Sequence, residues 1–412
     1  MVHTSGLSEK SLRYLAAEEQ HGAHNYDPLP VVLTRGEGVF LWDVDGKRYY
    51  DFLSAYSAVN QGHCHPRIIE TLVTQASRLT LTSRAFHADR LGEFAAFVTT
   101  MFGYDKVLPM NSGAEAVETA LKLTRKWAYT RKGIPENKAK IIVCEGNFHG
   151  RTISIISFSS DPQARDDFGP YTPGFQRIPY NDLKALESAL ADENTAGFLV
   201  EPIQGEAGVI VPDAGYLSRA AALARQHNVL FIADEIQTGL GRTGAMLCSD
   251  HEAVTPDILI LGKALSGGTL PVSAVLANEE IMSCIRPGEH GSTYGGNPLA
   301  CAVAMTALKV LGDEHMIENA AVIGDYFSGK LRALDSPWLS AVRGKGLLQA
   351  LVIRHPSPNA AWDLCLALRD RGLLAKPTHG DRIRLAPPLI ITREQIDECV
   401  ALIKDSLDHL DS

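Results

Sequence analysis

The stretch VLFIADEIQTGLGRTGAMLCSDHEAVTPDILILGKALSGG, residues 229–268, contains two short apolar runs that each lead to one charged residue. Residues 229–233 are followed directly by Asp234, and residues 258–261 are followed two positions later by Lys263. Uninterrupted apolar runs of this length are typical of parallel strands buried on both faces. Because ligands of open α/β sheets bind beyond the carboxyl ends of the strands, we expect Asp234 and Lys263 to face one crevice.

An acid and an amine in one crevice predict a site for pyridoxal phosphate. This cofactor needs an amine to bond its aldehyde carbon and an anion beside its pyridine nitrogen. Small residues after Lys263 allow the backbone to approach a ligand closely, and Gln237 follows Asp234 by about one helical turn. A lone Asp or Lys at such a position more often caps a helix or extends into solvent. The combination favours the cofactor.

The composition indicates a large globular enzyme. The 412 residues are 45% hydrophobic, enough for more than one apolar core. A net charge of -9 without basic runs argues against a nucleic-acid partner. The seven scattered cysteines form no CxxC pair, so the sequence predicts neither a disulfide framework nor a metal site, and His63-Cys64-His65 is interpreted as a turn. No apolar stretch is long enough for a membrane span, and we expect a cytoplasmic protein.

The order of predicted elements indicates an α/β protein with a mainly parallel sheet. A helix over 8–20 and a hairpin-like segment with a DVDG turn form an N-terminal arm, and residues 66–100 have helical periodicity. Strands are predicted at 106–110, 140–144, 197–200, 229–233, 258–261 and 271–277, with helical segments between most of them. Ser112 and Glu115 form a capping box, so the helix after Asn111 presents its N-terminus to the ligand edge, where it suits a phosphate.

The C-terminal part predicts a second, smaller unit. After a helix at 298–311, apolar residues in 342–353, a helix near 358–371, a strand at 382–385 and a helix from 393 indicate an α+β domain that packs with the N-terminal arm. We therefore expect an arm at 1–56, a large cofactor-binding domain at 57–315 and a small domain at 316–412.

With these residues in view, the chain resembles the class III ω-aminotransferases of the fold-type I pyridoxal-phosphate enzymes. The resemblance runs nearly end to end and includes long specific stretches: YSAVNQGHCHP, LTLTSRAF, VLPMNSGAEA, KAKIIVCEGNFHGRT, VEPIQGEAGV, LFIADEIQTGLGRTG, LGKALSGG, GEHGSTYGGNP, VRGKGLL and GLLAKPTHGDRIRLAPPL. It implies a large domain with a mainly parallel seven-stranded sheet flanked by helices, a smaller α+β domain, and a homodimer with the site at the subunit interface.

The resemblance also implies how the cofactor is held. Lys263 would bond pyridoxal 5′-phosphate, Asp234 would pair with its ring nitrogen, and Gln237 would hydrogen-bond its ring hydroxyl. Phe148 would stack on the ring. The phosphate would be bound by Ser112, Gly113 and Ala114, with Ser292 and Thr293 reaching the phosphate of the neighbouring subunit.

For the substrates, the resemblance is to those members of the class that act on L-ornithine, 2-oxoglutarate and L-glutamate. Arg151 would hold the α-carboxylate of ornithine, with Tyr26 at its α-amino group and Tyr56 at the entrance. Arg384 would bind the α-carboxylate of glutamate, and Glu206 would cover Arg384 while ornithine is bound. The sequence departs from these relatives at His149, where a tryptophan is expected and acetylornithine enzymes have histidine.

The expected reaction moves the δ-amino group of ornithine to 2-oxoglutarate. The products are glutamate 5-semialdehyde, which cyclises to pyrroline-5-carboxylate, and glutamate. Alternatives within the class are an acetylornithine, 4-aminobutyrate or lysine ω-aminotransferase. An alternative of another kind is a non-catalytic dimer that keeps the fold, and an intact Lys263 and Asp234 argue against it.

Overall fold

A computed structural model describes residues 7–410 of the chain. The strands are β1 Leu33–Glu37, β2 Phe40–Asp43, β3 Arg48–Asp51, β4 Lys106–Met110, β5 Lys140–Cys144, β6 Phe175–Ile178, β7 Thr195–Val200, β8 Leu230–Asp234, β9 Ile258–Leu261, β10 Ser273–Ala277, β11 Leu339–Lys345, β12 Leu348–Ile353, β13 Leu373–Leu374, β14 Lys376–Thr378 and β15 Arg382–Leu385.

The helices are α1 Glu9–His21, α2 Ser54–Ser57, α3 Pro66–Ala76, α4 Asp89–Phe102, α5 Gly113–Trp127, α6 Ile153–Ile156, α7 Pro162–Arg165, α8 Leu183–Leu190, α9 Tyr216–Gln226, α10 Glu279–Met282, α11 Pro298–Asp313, α12 Met316–Arg332, α13 Ala360–Asp370 and α14 Arg393–Asp408. The short α2 has left-handed backbone angles.

The central sheet has seven strands in the order β4-β10-β9-β8-β7-β5-β6. Strands β9, β8, β7, β5 and β6 are parallel neighbours, whereas β10 is antiparallel to both β9 and β4. The sheet is therefore parallel except for β10. This confirms the predicted α/β fold with its mainly parallel seven-stranded sheet.

Both faces of this sheet are buried, which explains the uninterrupted apolar runs. Alternate residues of the central strands, such as Ile232 and Ile260, share one apolar cluster with α5. Their neighbours Phe231 and Ala233 share a second cluster with α8 and α9. Since side chains alternate across a strand, a strand covered on both sides needs apolar residues at every position.

The C-terminal region and the N-terminal arm form the predicted smaller α+β part. One four-stranded sheet has the order β11-β12-β15-β14, and the other has the order β1-β2-β3-β13. Strand β13 pairs in parallel with β3, so Leu373 lies opposite Tyr50. This pairing joins the arm to the C-terminal region as expected. The domain boundaries at residues 56 and 315 stay predictions.

Arg242, in the loop after β8, fastens three distant segments together. Its guanidinium donates to the carbonyl oxygens of Leu347 at 2.9 Å and Pro387 at 2.5 Å, and to Asn60 Oδ1 at 2.6 Å. The side chain is fully buried, and burial lowers its pKa to about 9. A buried guanidinium is tolerated when acceptors meet its donors, so Arg242 fixes how the C-terminal segments lie against the central sheet.

Candidate active site

Asp234 and Lys263 lie at the carboxyl ends of neighbouring parallel strands. Asp234 is the last residue of β8 and is paired with Ile260 of β9. Lys263 follows β9 and begins a 3-10 turn, with a left-handed φ of 45°. Burial lowers the pKa of the Lys263 amine, although the charges of Glu206 and Asp234 oppose the shift. An amine with a lowered pKa is neutral more often at neutral pH, as a base must be.

Both side chains line a cavity of about 200 Å³ at this edge of the sheet. Its other lining residues are Gly113, Ala114, Phe148, His149, Gly150, Glu201, Ile236, Gln237 and Thr238. A larger groove of about 600 Å³ lies between α3, α4 and α11 and contains none of the predicted site residues.

The N-terminus of α5 forms one end of the cavity. Ser112 caps the helix, and its hydroxyl accepts from the backbone N–H of Glu115 at 3.2 Å in the predicted capping box. Gly113 packs against Ile236 closely enough that a Cβ would lie 3.0 Å from the Ile236 side chain. The positive end of the helix dipole beside Gly113 and Ala114 suits an anion.

Asp234 is held by a histidine that is 85 positions away in sequence. His149 Nδ1 lies 2.6 Å from Asp234 Oδ2, and the backbone N–H of Ile236 donates to Asp234 Oδ1 at 3.1 Å. Burial alone would lower the pKa of His149, but the hydrogen bond and charge of Asp234 outweigh it and raise the pKa. His149 therefore lines the cavity on the Asp234 side, at the position where a tryptophan was expected. It is buried beside Asp234 and favours the ionised carboxylate.

Glu201, which the sequence interpretation missed, is another buried acid at the same sheet edge as Asp234. It follows β7, and its carboxylate accepts from the backbone N–H groups of Phe148 at 2.9 Å and Gly205 at 3.2 Å. Burial raises its pKa to about 7, with a further contribution from the charge of Asp234. The signal was present in the sequence, because Glu201 ends an apolar run as Asp234 does.

Arg384 and Glu206 form an ion pair near the cavity. Arg384 Nη1 donates to Glu206 Oε1 at 2.6 Å and to Gln237 Oε1 at 3.1 Å, while Gln237 Nε2 donates to Glu206 Oε1 at 3.2 Å. Burial raises the pKa of Glu206, but the charge and hydrogen bond of Arg384 outweigh it and lower the pKa. The ring of Tyr56 covers the guanidinium, with its centroid 5.0 Å from Arg384 Cζ.

The remaining predicted substrate residues lie outside the 200 Å³ cavity. Arg151 is exposed, with its Cζ 5.8 Å from the ring centroid of Phe148. Tyr26 is 67% exposed and lines, with Tyr56, a mostly apolar cavity of about 520 Å³ between the arm and β13. The structure thus brings Tyr56 to Arg384 but leaves Tyr26 and Arg151 at the periphery.

Ser292 and Thr293 also lie outside the cavity. Ser292 Oγ accepts a hydrogen bond from Nδ2 of Asn111, the residue before the helix cap Ser112, at 2.8 Å. Thr293 is exposed. Their contact with a phosphate of a second subunit stays a prediction, as do the contacts assigned to the other site residues.

Within residues 7–410 there is no cluster of His, Cys, Asp and Glu side chains that could hold a metal ion. No helix in that range is both long and apolar enough to cross a membrane.

This chain belongs to the class III aminotransferases, whose family pattern matches residues 21–407. Pyridoxal phosphate is the cofactor of the class, and the cavity fits it on its own chemistry. The amine, the buried carboxylate and the helix N-terminus that this cofactor needs all border one space.

The most similar relatives include enzymes of particular activities within this class. The chain is 61% identical to the mitochondrial ornithine aminotransferase of Rattus norvegicus, over 95% of this chain and 89% of the rat protein. It also resembles the ornithine aminotransferase of Toxoplasma gondii, with 49% identity and a TM-score of 0.95 over 97% of this chain and 95% of that chain. The Toxoplasma gondii structure has PLP at partial occupancy in its active site. The chain also resembles the acetylornithine aminotransferase of Elizabethkingia anophelis, with 59% identity, a TM-score of 0.89, and coverage of 96% and 98%.

Proposed function

We propose that this chain is an enzyme that transfers the δ-amino group of L-ornithine to 2-oxoglutarate. The products are L-glutamate 5-semialdehyde, which cyclises to pyrroline-5-carboxylate, and L-glutamate. The observation that carries the proposal is the ion pair between Arg384 and Glu206 beside Gln237, because it offers a carboxylate-binding group that can be masked or free. The ornithine aminotransferases among its relatives support the same reaction.

When bound, pyridoxal phosphate supplies an electron sink and carries the amino group between the two half-reactions. Lys263 Nζ would hold the cofactor at rest and, as a free amine, would take the proton from ornithine Cδ. Its lowered pKa favours the neutral amine that this step requires. Asp234 would hold a proton at the ring nitrogen, and His149 stabilises the carboxylate charge that this role requires.

Three other groups orient the cofactor in this proposal. The Phe148 ring provides a flat apolar wall, and Glu201 fixes the backbone of Phe148 from behind. The N-terminus of α5 would receive the phosphate through the Ser112 side chain and the amides of Gly113 and Ala114, because the Ser112 amide already donates to Glu115 Oε2 at 2.9 Å. Gln237 faces the same cavity, and its side-chain amide contacts Glu206 and Arg384. The same amide would hydrogen-bond the ring hydroxyl of the cofactor.

The enzyme must treat two substrates oppositely, because ornithine reacts at its distal amine and glutamate at its α-amine. While Glu206 neutralises Arg384, an α-carboxylate has no guanidinium to bind, so an α-amino acid is not anchored for α-transfer. When Glu206 moves away, Arg384 can bind the α-carboxylate of glutamate or 2-oxoglutarate in a bidentate manner. Arg151, Tyr26 and Tyr56 would hold the α-end of ornithine.

A substrate panel tests the proposal. We expect L-ornithine with 2-oxoglutarate to give the highest kcat/KM, with N-acetylornithine, 4-aminobutyrate and L-lysine well below it. Borohydride reduction of the holoenzyme followed by peptide mapping should find the pyridoxyl label on Lys263. A label on another lysine would remove Lys263 from its assigned role.

A second candidate is acetylornithine aminotransferase activity. Two observations favour it: the 59% identity to the Elizabethkingia anophelis enzyme and the presence of His149 where tryptophan is expected. The panel decides between the two, because a kcat/KM higher for N-acetylornithine than for ornithine would replace the first proposal.

We also propose a homodimer located in the cytoplasm. All seven cysteines are free, which suits a reducing compartment. Exposed Phe86 and Tyr294 offer apolar surface for a partner subunit. Light scattering of the purified protein tests the dimer. Cell fractionation tests the location, and the rat relative is named as mitochondrial.

A further inference from the structure

Four consecutive residues of α2, just after β3, have a left-handed backbone conformation although none of them is glycine. The φ angles of Ser54, Ala55, Tyr56 and Ser57 are 48°, 47°, 63° and 70°. Each such residue is disfavoured because its Cβ approaches a carbonyl oxygen, and strain of this kind persists only where the surroundings impose it. The turn therefore needs a neighbour that holds it.

Asp51 is that neighbour. Its Oδ1 accepts from the backbone N–H groups of Leu53 at 2.9 Å and Ser54 at 2.8 Å, and its Oδ2 lies 2.7 Å from His63 Nε2. Asp51 is only 3% exposed. The buried hydroxyls of Ser54 and Ser57 have no hydrogen-bond partner within the described chain, so they contribute no tie of their own.

The support behind Asp51 is itself fixed. The backbone N–H of Asp51 donates to Val39 O at 2.9 Å, and His63 exchanges two backbone hydrogen bonds with Gly38 at 2.8 and 3.0 Å. The His63 ring packs so closely on Gly36 that a Cβ there would lie 2.9 Å from the ring. Asp51 and His63 thus connect the turn to the β1–β3 sheet.

We propose that Asp51 and His63 are positioning residues for substrate recognition, because they hold the left-handed turn that keeps Tyr56 over Arg384. This inference rests on the proposed role of Arg384 as the group that binds the α-carboxylate of 2-oxoglutarate. With the turn released, Tyr56 leaves the guanidinium, and Arg384 loses the ring that orients it. Binding of the dicarboxylate then weakens, while Lys263 and Asp234 keep their geometry.

The chain offers a matched control. Asp43 is also a buried carboxylate that holds a turn: its Oδ1 accepts from the backbone N–H groups of Asp45 at 3.0 Å and Lys47 at 2.9 Å, and its Oδ2 accepts from Tyr49 Oη at 2.7 Å. The turn that it holds carries no predicted substrate residue. Asp43→Ala therefore removes the same kind of support without touching the turn at Tyr56.

The experiment compares Asp51→Ala with Asp43→Ala in the holoenzyme. We expect Asp51→Ala to raise KM for 2-oxoglutarate about 3- to 10-fold, the scale of one cation–π contact, and to leave kcat within about twofold. Asp43→Ala should leave KM unchanged. Adding Ala55→Gly to Asp51→Ala should recover part of the loss, because glycine adopts positive φ without strain.

A readout that does not depend on turnover separates this inference from the proposed function. Hydrogen exchange should be faster at the amides of Leu53 and Ser54 in Asp51→Ala, and calorimetry should show weaker 2-oxoglutarate binding, whichever amino donor the panel identifies. If Asp51→Ala does not fold, Asp51→Asn and His63→Gln take its place and should show the same KM effect at smaller size. Unchanged exchange and unchanged KM in the folded variants would overturn the inference.

Discussion

The two polar ends of the site differ in how firmly they are enclosed. At the Asp234 end, the side chains of His149 and Asp234 are 1% and 4% exposed, and Glu201 is buried beside them. At the Arg384 end, the arginine side chain is 1% exposed but its partner Glu206 is 23% exposed. Separating two buried charges is costly, because each is left unpaired away from water. A pair whose acid is partly hydrated can exchange partners at a lower cost. We infer that the Asp234 end is fixed and the Arg384 end is exchangeable.

The largest expected effect concerns the fixed end. Asp234→Asn keeps the shape of the side chain but removes the charge that, in the proposed function, would hold a proton on the ring nitrogen. We expect the half-reaction with ornithine to slow by at least about 100-fold, the scale of a lost electrostatic contact in a water-excluded site. Single-turnover absorbance measures it.

Glu235→Gln is the matched control for Asp234→Asn. Glu235 is a neighbouring buried acid whose carboxylate is occupied by Thr238, the backbone N–H of Cys248 at 3.1 Å and Ser249 at 2.7 Å. Its replacement should lower stability rather than the chemical rate. A near-normal rate in Asp234→Asn would mean that the fixed end is only structural.

A smaller effect is expected at the exchangeable end. Glu206→Ala leaves the Arg384 guanidinium free for any α-carboxylate. Glutamate should therefore react faster in the first half-reaction, and the enzyme should become less selective for ornithine. A pair in a partly dry site contributes on the order of 1 to 3 kcal/mol, so the preference for ornithine over glutamate should fall roughly 5- to 150-fold.

Arg384→Ala should show the complementary defect. Ornithine should still complete its half-reaction, whereas 2-oxoglutarate should fail to complete the second one. Single-turnover spectra with each substrate separate the two variants. An unchanged ratio of half-reaction rates in Glu206→Ala would show that this end is not exchangeable.

The smallest effect on the reaction rate is expected from Glu201, whose main contribution should be a pH dependence of stability. Its pKa rises from 4.5 to about 7 on folding, so between these values the folded state holds a proton that the unfolded state releases. Stability should therefore fall as pH rises through this window, by on the order of 3 kcal/mol, or a few degrees in Tm. Glu201→Gln should remove this slope in thermal denaturation of the apoenzyme. An equal slope in wild type and variant would contradict the raised pKa.

The strands of the central sheet were predictable because burial on both faces requires continuous apolar runs, and such runs are visible in the sequence. Strands β4, β5 and β9 have the predicted bounds, and β8 includes Asp234 itself. Strand β7 begins at Thr195 rather than at residue 197, since its pairing with β5 includes Thr195 opposite Lys140. The stretch at 66–100, predicted as continuously helical, is two helices, α3 and α4, with residues 77–88 between them.

Local spacing alone predicted some site features and missed others. The capping box at Ser112 and Glu115 was predictable because its two partners are three residues apart. The left-handed turn at 54–57 was not, because no glycine marks it and Asp51 imposes it together with His63 from another segment.

By itself, the sequence determined the fold class, the strand ends that carry Asp234 and Lys263, and the helix N-terminus at Gly113, because periodicity and capping act over a few residues. Only the tertiary structure decided which distant side chains meet. His149 reaches Asp234 and Tyr56 covers Arg384, across separations of 85 and more than 300 positions. Such contacts depend on how strands from separate parts of the chain align, and burial then gives them their strength by removing water from around the charges.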